Sequence, residues 1–112
     1  MAALVPDAGD IVWLYFDPHA GHEQAGRRPA LVLSPKLYNQ KAGLALFCPI
    51  TNQVKGYSFE VAVPDGCGVT GLVLADHVKS ADWKARDARR IGRVPQSTLN
   101  DVRARLAPLL GY

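Results

Sequence analysis

The chain has 112 residues, of which 48 % are hydrophobic and 21 % are charged, and its formal net charge is +3. This length and composition predict one small folded domain over residues 1–112 and exclude an intrinsically disordered chain. No apolar run approaches the length of a membrane-spanning helix.

Five short apolar segments predict β-strands. Residues 10–16 form a continuous run of β-branched and aromatic residues that is too short for a typical helix. Residues 57–63 alternate apolar and polar side chains, as a half-buried strand does. The other three strands are predicted at 29–35, 43–50 and 69–75.

The connecting segments are polar and rich in turn-forming residues. Residues 17–27 contain Asp-Pro and two glycines and predict a long mobile loop, a kind of loop that is often functional. Residues 36–42 predict a turn between the second and third strands. The polar stretch 76–95 predicts two short strands, around Val78 and Ile91.

An apolar stripe at helical spacing predicts one amphipathic C-terminal helix over residues 97–109. Pro95 and Ser97 are start signals, Gly111 is a stop signal, and Pro108 is expected to kink or fray the last turn. Five to seven short strands with one terminal helix predict a mainly β or α+β fold, built as a strongly bent sheet or a partly open small barrel.

The cysteines and histidines do not predict a metal site or another cofactor. Cys48 and Cys67 have neither a CxxC spacing nor a nearby paired histidine. His19 and His22 lie three positions apart in the loop, but no third ligand is indicated. The N-terminus contains a proline and an aspartate before any apolar region forms, so we predict a cytoplasmic protein without a signal peptide and with reduced thiols.

Basic residues concentrate in the last third of the chain. Such a face attracts nucleic acid or an acidic protein segment, although an ordinary hydrated surface fits the charge equally well. The residues concerned are Lys84, Arg86, Arg89, Arg90, Arg93, Arg103 and Arg105.

Two arginines, Arg27 and Arg28, directly precede a proline at the start of the second predicted strand. A guanidinium offers a planar fork of donors that matches a phosphate, and a hydroxyl from Thr51, at the end of the third strand, would complete a phosphodiester site. Spacing alone favours a simpler alternative, in which Arg28 pairs with Glu23 or Asp17 and Thr51 caps a turn.

A set of motifs that follow one another along the chain favours the phosphodiester site over the simpler alternative: GDIVW, GHEQAGRRP, PIT, KGY and ADHVKS. Together they resemble the MazF toxin family, also called PemK-like, close to its enterobacterial branch, from Pro6 to the final helix. The resemblance implies an SH3-like small barrel of the CcdB/PemK type with a C-terminal amphipathic helix, and a homodimer.

The same resemblance implies the toxin of a type II toxin–antitoxin system. Its expected activity is a metal-independent and ribosome-independent endoribonuclease that cuts single-stranded mRNA at a short, ACA-like motif. Its expected partner is a MazE-like antitoxin whose acidic, disordered tail blocks the RNA groove, and no membrane is involved.

The resemblance also assigns residues. Arg28 and Thr51 match the catalytic pair, and Glu23 matches an acidic position near the site, where it is a candidate base or an orienter of Arg28. Arg27 falls at a variable position and receives no catalytic role. The residues expected to line the RNA groove are Asn39, Lys55 and Lys79.

Two aromatic residues have alternative interpretations. Tyr57 is a candidate to stack on an RNA base, although a core or dimer contact fits it equally well. For Trp83 a core or dimer contact is favoured.

The mechanism implied is attack by the RNA 2′-hydroxyl, which leaves a 2′,3′-cyclic phosphate and a 5′-hydroxyl. Arg28 is expected to stabilise the phosphate and is also a candidate proton donor, an unusual role for so basic a group. This chain departs from the family pattern at His22 and at His77, where glutamine is common, and each is a candidate to alter base recognition.

Two alternatives cut no RNA: a CcdB-like gyrase-binding toxin and a catalytically dead RNA-binding module. CcdB proteins share the fold. They lack the arginine–threonine pair and end in Trp-Gly-Ile, whereas this chain ends in LLGY.

Overall fold

The computed structural model describes residues 4–15, 27–53 and 56–112. The strands in these ranges are β1 (Asp10–Tyr15), β2 (Arg27–Val32), β3 (Leu44–Thr51), β4 (Glu60–Ala62), β5 (Leu72–Leu74), β6 (Lys79–Asp82) and β7 (Arg89–Arg93). The helices are α1 (Lys36–Ala42) and α2 (Gln96–Leu106), and 3₁₀ turns span Ala75–His77 and Ala107–Leu110.

The strands pair antiparallel in the order β4-β5-β3-β2-β1-β7, and β6 also pairs with β3. The long strand β3 contacts β2 along one edge and both β6 and β5 along the other, so it belongs to both parts of a bent sheet. The described strands form an open sheet rather than a closed barrel, which confirms the prediction of a small, mainly β fold with a C-terminal helix.

The central strands bury side chains on both faces. Successive residues of a strand point to opposite sides, so neighbouring positions enter separate cores. One core lies beneath α2 and includes Ile11, Leu31, Cys48, Val73, Leu99 and Val102. The other includes Val12, Leu14, Val32, Phe47 and Trp83. Burial on both faces explains why these strands are continuous apolar runs.

The prediction for residues 36–42 is wrong, because this segment is the helix α1 and not a turn. Its one buried residue is the polar Asn39, so the segment lacks the apolar period by which a helix is recognised. The helix ends at Gly43, whose φ of 72° is left-handed and whose N–H donates to the Asn39 carbonyl.

The C-terminal helix is confirmed, with α2 beginning after Pro95. A 3₁₀ turn containing Pro108 replaces the α-helix from Ala107 onward, as the proline predicted. The strands predicted at 57–63 and 69–75 are shorter in the structure, at Glu60–Ala62 and Leu72–Leu74.

The turn between β4 and β5 packs directly against β7. A Cβ placed at Gly92 would overlap the carbonyl oxygen of Cys67, and one placed at Gly68 would lie 2.6 Å from the carbonyl oxygen of Ile91. Because β4 and β7 are the two ends of the strand order, this backbone contact brings the ends of the open sheet together.

Cys48 and Cys67 are buried free thiols. No helix in the described ranges combines the length and the apolar character needed to span a membrane.

Candidate active site

A cavity of about 300 Å³ lies where β3 ends, and it contains both members of the predicted catalytic pair. Its described lining residues are Arg28, Pro49, Ile50, Thr51, Gln53, Tyr57, Leu74 and His77. The cavity therefore combines an apolar wall with a guanidinium, a hydroxyl, a phenol and an imidazole.

Strand pairing brings Arg28 and Thr51 together. In the antiparallel pair of β2 and β3, Ala30 lies opposite Pro49. Two residues further in the same register, Arg28 is opposite Thr51, and both side chains face the same side because side-chain direction repeats every second residue. Since both residues line the cavity, the predicted convergence of guanidinium and hydroxyl is present.

The Thr51 hydroxyl is oriented by its own loop. Its Oγ1 accepts a hydrogen bond from the Gln53 backbone N–H at 3.1 Å. Because a hydroxyl has one proton and two lone pairs, this contact leaves the proton for donation to a ligand. The backbone of Thr51 is held by pairing with Leu72 and by close contact with Gly71, where a Cβ would lie 2.6 Å from the Thr51 carbonyl oxygen.

The two adjacent arginines have different surroundings. The Arg27 guanidinium lies 5.8 Å from the centre of the Trp13 ring, a cation–π distance. Arg28 is exposed at the cavity, and none of the described residues forms a hydrogen bond or ion pair with its guanidinium. Glu23 and Asp17, its partners in the simpler alternative, lie outside the described residues.

The segment carrying Tyr57 forms one side of the cavity. The Tyr57 side chain is 61 % exposed, which leaves its ring accessible to a ligand. The next residue, Ser58, accepts a hydrogen bond at 2.9 Å from Nε of Arg105 on α2. The C-terminal helix therefore anchors this side of the cavity.

His77, a candidate from the sequence to alter base recognition, lines the cavity, and so does Gln53, to which the sequence assigned no role. His77 ends the 3₁₀ turn after β5, and its Nε2 lies 3.7 Å from Oδ1 of Asp76. In the sequence, His77 stood out because the family commonly has glutamine at this position of the ADHVKS motif. Its place in the cavity depends on the 3₁₀ turn and could not be read from the sequence.

The assignment of Asn39 to the RNA groove is wrong. This side chain is 0 % exposed. Its Nδ2 donates to the carbonyl oxygens of Pro6 and Ser34, and its Oδ1 accepts from the Ser34 hydroxyl. Asn39 therefore ties the N-terminal segment and the end of β2 to α1 and has a structural role.

We expect Asn39→Ala to lower the free energy of unfolding by about 3 kcal/mol, because it leaves buried polar partners unpaired. Urea unfolding measures this loss. Gln40→Ala, on the exposed face of the same helix, is the matched control and should change stability by less than about 0.5 kcal/mol. A stable Asn39→Ala protein that has lost RNA affinity would show instead that Asn39 contacts RNA.

The remaining groove residues are not part of the described cavity lining. Lys79 is exposed on β6, opposite Phe47, and does not occur among the described lining residues. Lys55 and Glu23 lie outside the described residues. Their roles stay predictions.

Much of the basic charge in the last third of the chain is used within the fold. Arg93 and Arg90 on β7 pair with the nearly buried Asp10 at 2.7 and 3.4 Å. Arg103 donates to the carbonyl oxygen of Leu33 at 3.2 Å. Several of these arginines therefore stabilise the fold, which weakens the argument for nucleic-acid binding from charge alone.

Cys48 does not act as a nucleophile in this arrangement. Burial, and to a smaller extent the Asp76 carboxylate, raise the pKa of the Cys48 thiol to about 12, so the thiol stays protonated. Among the described residues, no three His, Cys, Asp or Glu side chains are grouped so that they could hold a metal ion.

Fold and site together define a small β protein with a guanidinium and a hydroxyl converging at its strand ends. Residues 7–110 match the sequence model of the family described as PemK-like, MazF-like toxin of type II toxin-antitoxin system. The chain belongs to this family, which confirms the resemblance found in its motifs.

Individual relatives support the same assignment over nearly the whole chain. The chain is 50 % identical over 111 residues to the endoribonuclease toxin MazF of Escherichia coli strain K12, covering 99 % of each. It resembles the crystal structure of Deinococcus radiodurans MazF (Form-I) with a TM-score of 0.88 and 55 % identity, covering 97 % of this chain and 99 % of that one. For the Form-II MazE-MazF structure from that organism, the TM-score is 0.85 at 50 % identity, covering 96 % and 97 %.

Proposed function

We propose that this chain is an endoribonuclease toxin of a type II toxin–antitoxin system that cleaves single-stranded mRNA, independently of metal and ribosome, at a short, ACA-like sequence. The observation that carries the proposal is the convergence of Arg28 and Thr51 on one cavity. The 50 % sequence identity to the endoribonuclease toxin MazF of Escherichia coli also supports it. Such cleavage inhibits translation and growth.

The proposed chemistry uses a nucleophile that RNA itself carries, the 2′-hydroxyl beside the scissile phosphate. Arg28 binds that phosphate with its fork of donors and stabilises the charge that builds up on its equatorial oxygens. Thr51 donates a hydrogen bond to the same phosphate. Glu23 accepts the 2′ proton or orients Arg28. The products are a 2′,3′-cyclic phosphate and a 5′-hydroxyl.

RNA binding combines stacking with charge. Tyr57, exposed at the cavity, stacks on a base. The apolar wall formed by Pro49, Ile50 and Leu74 suits the flat face of a base or a ribose. Lys55 and Lys79 contact the phosphate backbone in the groove.

The proposed assembly is a homodimer of one toxin domain spanning residues 1–112. The proposed partner is a MazE-like antitoxin whose acidic, disordered tail occupies the RNA groove. The MazE-MazF structures of Deinococcus radiodurans, at 48 to 50 % identity, support such a pairing. We propose that the complex forms in the cytoplasm.

The experiment is incubation of the protein with one long RNA of defined sequence in EDTA, followed by mapping of the cut ends. We expect cuts at one short motif, with cyclic phosphate ends. A substrate carrying 2′-deoxyribose at the cut position should resist cleavage, because its nucleophile is gone. Cleavage of that substrate would refute the mechanism. No cleavage of any RNA, together with binding to gyrase, would support the CcdB-like alternative.

A further inference from the structure

We propose that His77 is the general acid of the cleavage, donating a proton to the leaving 5′ oxygen. The inference rests on the proposed endoribonuclease activity and adds a catalytic residue to it. Its basis is the placement of an imidazole, with a carboxylate beside it, in the same cavity as Arg28 and Thr51.

The chemistry of the lining side chains favours His77 for proton transfer. An arginine guanidinium stays protonated, a threonine hydroxyl does not ionise, and a tyrosine phenol ionises only in alkaline solution. A histidine imidazole gains and loses a proton between pH 5 and 8. Among the described lining residues, His77 is thus the side chain suited to proton transfer near neutral pH. Arg28 is then left to bind the phosphate.

The turn that carries His77 is held in place from several sides. The Ala75 N–H donates to the Phe59 carbonyl oxygen at 3.0 Å, and the Cys48 Sγ–H donates to the Ala75 carbonyl oxygen at 3.8 Å. The helix α2 packs on the same turn. A general acid requires this kind of fixed position relative to the reacting atoms.

The immediate surroundings of the imidazole contain a carboxylate and are open to solvent. Oδ1 of Asp76 lies 3.7 Å from Nε2, within ion-pair distance of a protonated imidazole. The His77 side chain is 58 % exposed, so water can return the proton after each turnover.

Other titratable or charged groups lie on the elements around His77. Besides Asp76 on its own turn, they are Arg28 on β2, Cys48 on β3, Tyr57 on the segment before β4, Lys79 on β6, and Asp101, Arg103 and Arg105 on α2.

The step balances without a further reagent. The 2′ oxygen forms a bond to phosphorus while the bond between phosphorus and the 5′ oxygen breaks. The 2′ proton passes to a base, the proposed Glu23 carboxylate or water. The 5′ oxygen takes a proton from the His77 imidazolium and leaves as a hydroxyl. Solvent then reprotonates His77 and deprotonates the base.

The test compares the parent protein with His77→Gln on two RNA substrates. One is ordinary RNA, and the other carries sulfur in place of the bridging 5′ oxygen at the cut. A thiolate leaves without protonation because a thiol is far more acidic than an alcohol. Glutamine retains hydrogen-bonding groups of similar reach but does not act as a proton donor at neutral pH. Lys41→Gln, an exposed position outside the described cavity lining, is the control.

For ordinary RNA we expect the kcat of His77→Gln to fall about 10- to 100-fold, with KM nearly unchanged. This loss in kcat lies at or below the low end of the rate enhancement that a general acid contributes. On the sulfur-containing substrate the two proteins should differ by less than about threefold, because the step no longer needs an acid.

Three results would overturn the assignment. They are an equal loss on both substrates, a raised KM with an unchanged kcat, or no change at all. The raised KM would make His77 a contact that selects the RNA base. A parent protein that cuts neither substrate would refute the endoribonuclease proposal itself. If the parent protein does cut RNA, any of the three results refutes only the role of His77.

Discussion

Arg28→Ala is expected to lower kcat/KM for RNA cleavage by about 10³-fold or more, the range found when a charge-stabilising donor or arginine is removed from an anionic transition state. The reason is its position at the cavity, opposite Thr51, where its guanidinium is available to a phosphate. Initial rates on a short RNA containing the mapped cleavage motif measure the effect.

The neighbouring Arg27→Ala is the matched control, because it removes the same charge one residue away, on the opposite face of β2. We expect a fall of less than about tenfold, since an exposed charge off the reacting centre acts mainly through screened attraction. Arg28→Lys should recover little activity, because an ammonium does not reproduce the planar fork. Equal losses for Arg27→Ala and Arg28→Ala would contradict the assignment of the site to the Arg28 side of the strand.

Gly92→Ala is expected to lower the free energy of unfolding by about 3 kcal/mol or more, at the upper end of overpacking effects. The added Cβ would overlap the carbonyl oxygen of Cys67, which is backbone and has no rotamer by which to withdraw. The turn between β4 and β5 would have to move away from β7, and the contact between the two ends of the sheet would open. Urea unfolding measures the loss, and the thermal midpoint should fall with it.

Gly66→Ala, in the same turn, separates steric overlap from backbone strain. Gly66 has a φ of +86°, but nothing lies within 4 Å of a Cβ placed there. Its cost should therefore be limited to the left-handed conformation, about 1 to 2 kcal/mol. If Gly92→Ala were as stable as the parent protein, the close approach of Cys67 to β7 would not exist in solution.

Elements with a strong local signal were predicted well. The apolar runs of β1, β2 and β3 place side chains in both cores, and α2 carries an apolar stripe that packs on one core. Such patterns identify an element because burial requires them wherever the element lies in the fold. Trp83 shows the same principle, since its indole is buried in the second core and donates to the Asn39 carbonyl oxygen.

For Asn39, the sequence led to a wrong prediction. A polar residue in a polar segment is usually exposed, and the resemblance assigned it to the RNA groove. Its burial depends on the carbonyl oxygen of Pro6, which lies 33 residues away in the sequence and accepts its hydrogen bond. Local patterns do not contain such a partner, so both the helix α1 and the structural role of Asn39 were missed.

The motifs of the chain were sufficient to identify its family, its strand runs and the residue types of the catalytic pair. From their spacing alone, the favoured interpretation was that Arg28 is a charged residue at a strand edge and that Thr51 caps a turn. The antiparallel register of β2 and β3 brings them to one cavity, and the 3₁₀ turn after β5 adds His77. Residue chemistry and periodicity are local properties of a sequence, whereas the meeting of side chains far apart in the chain depends on strand pairing and packing.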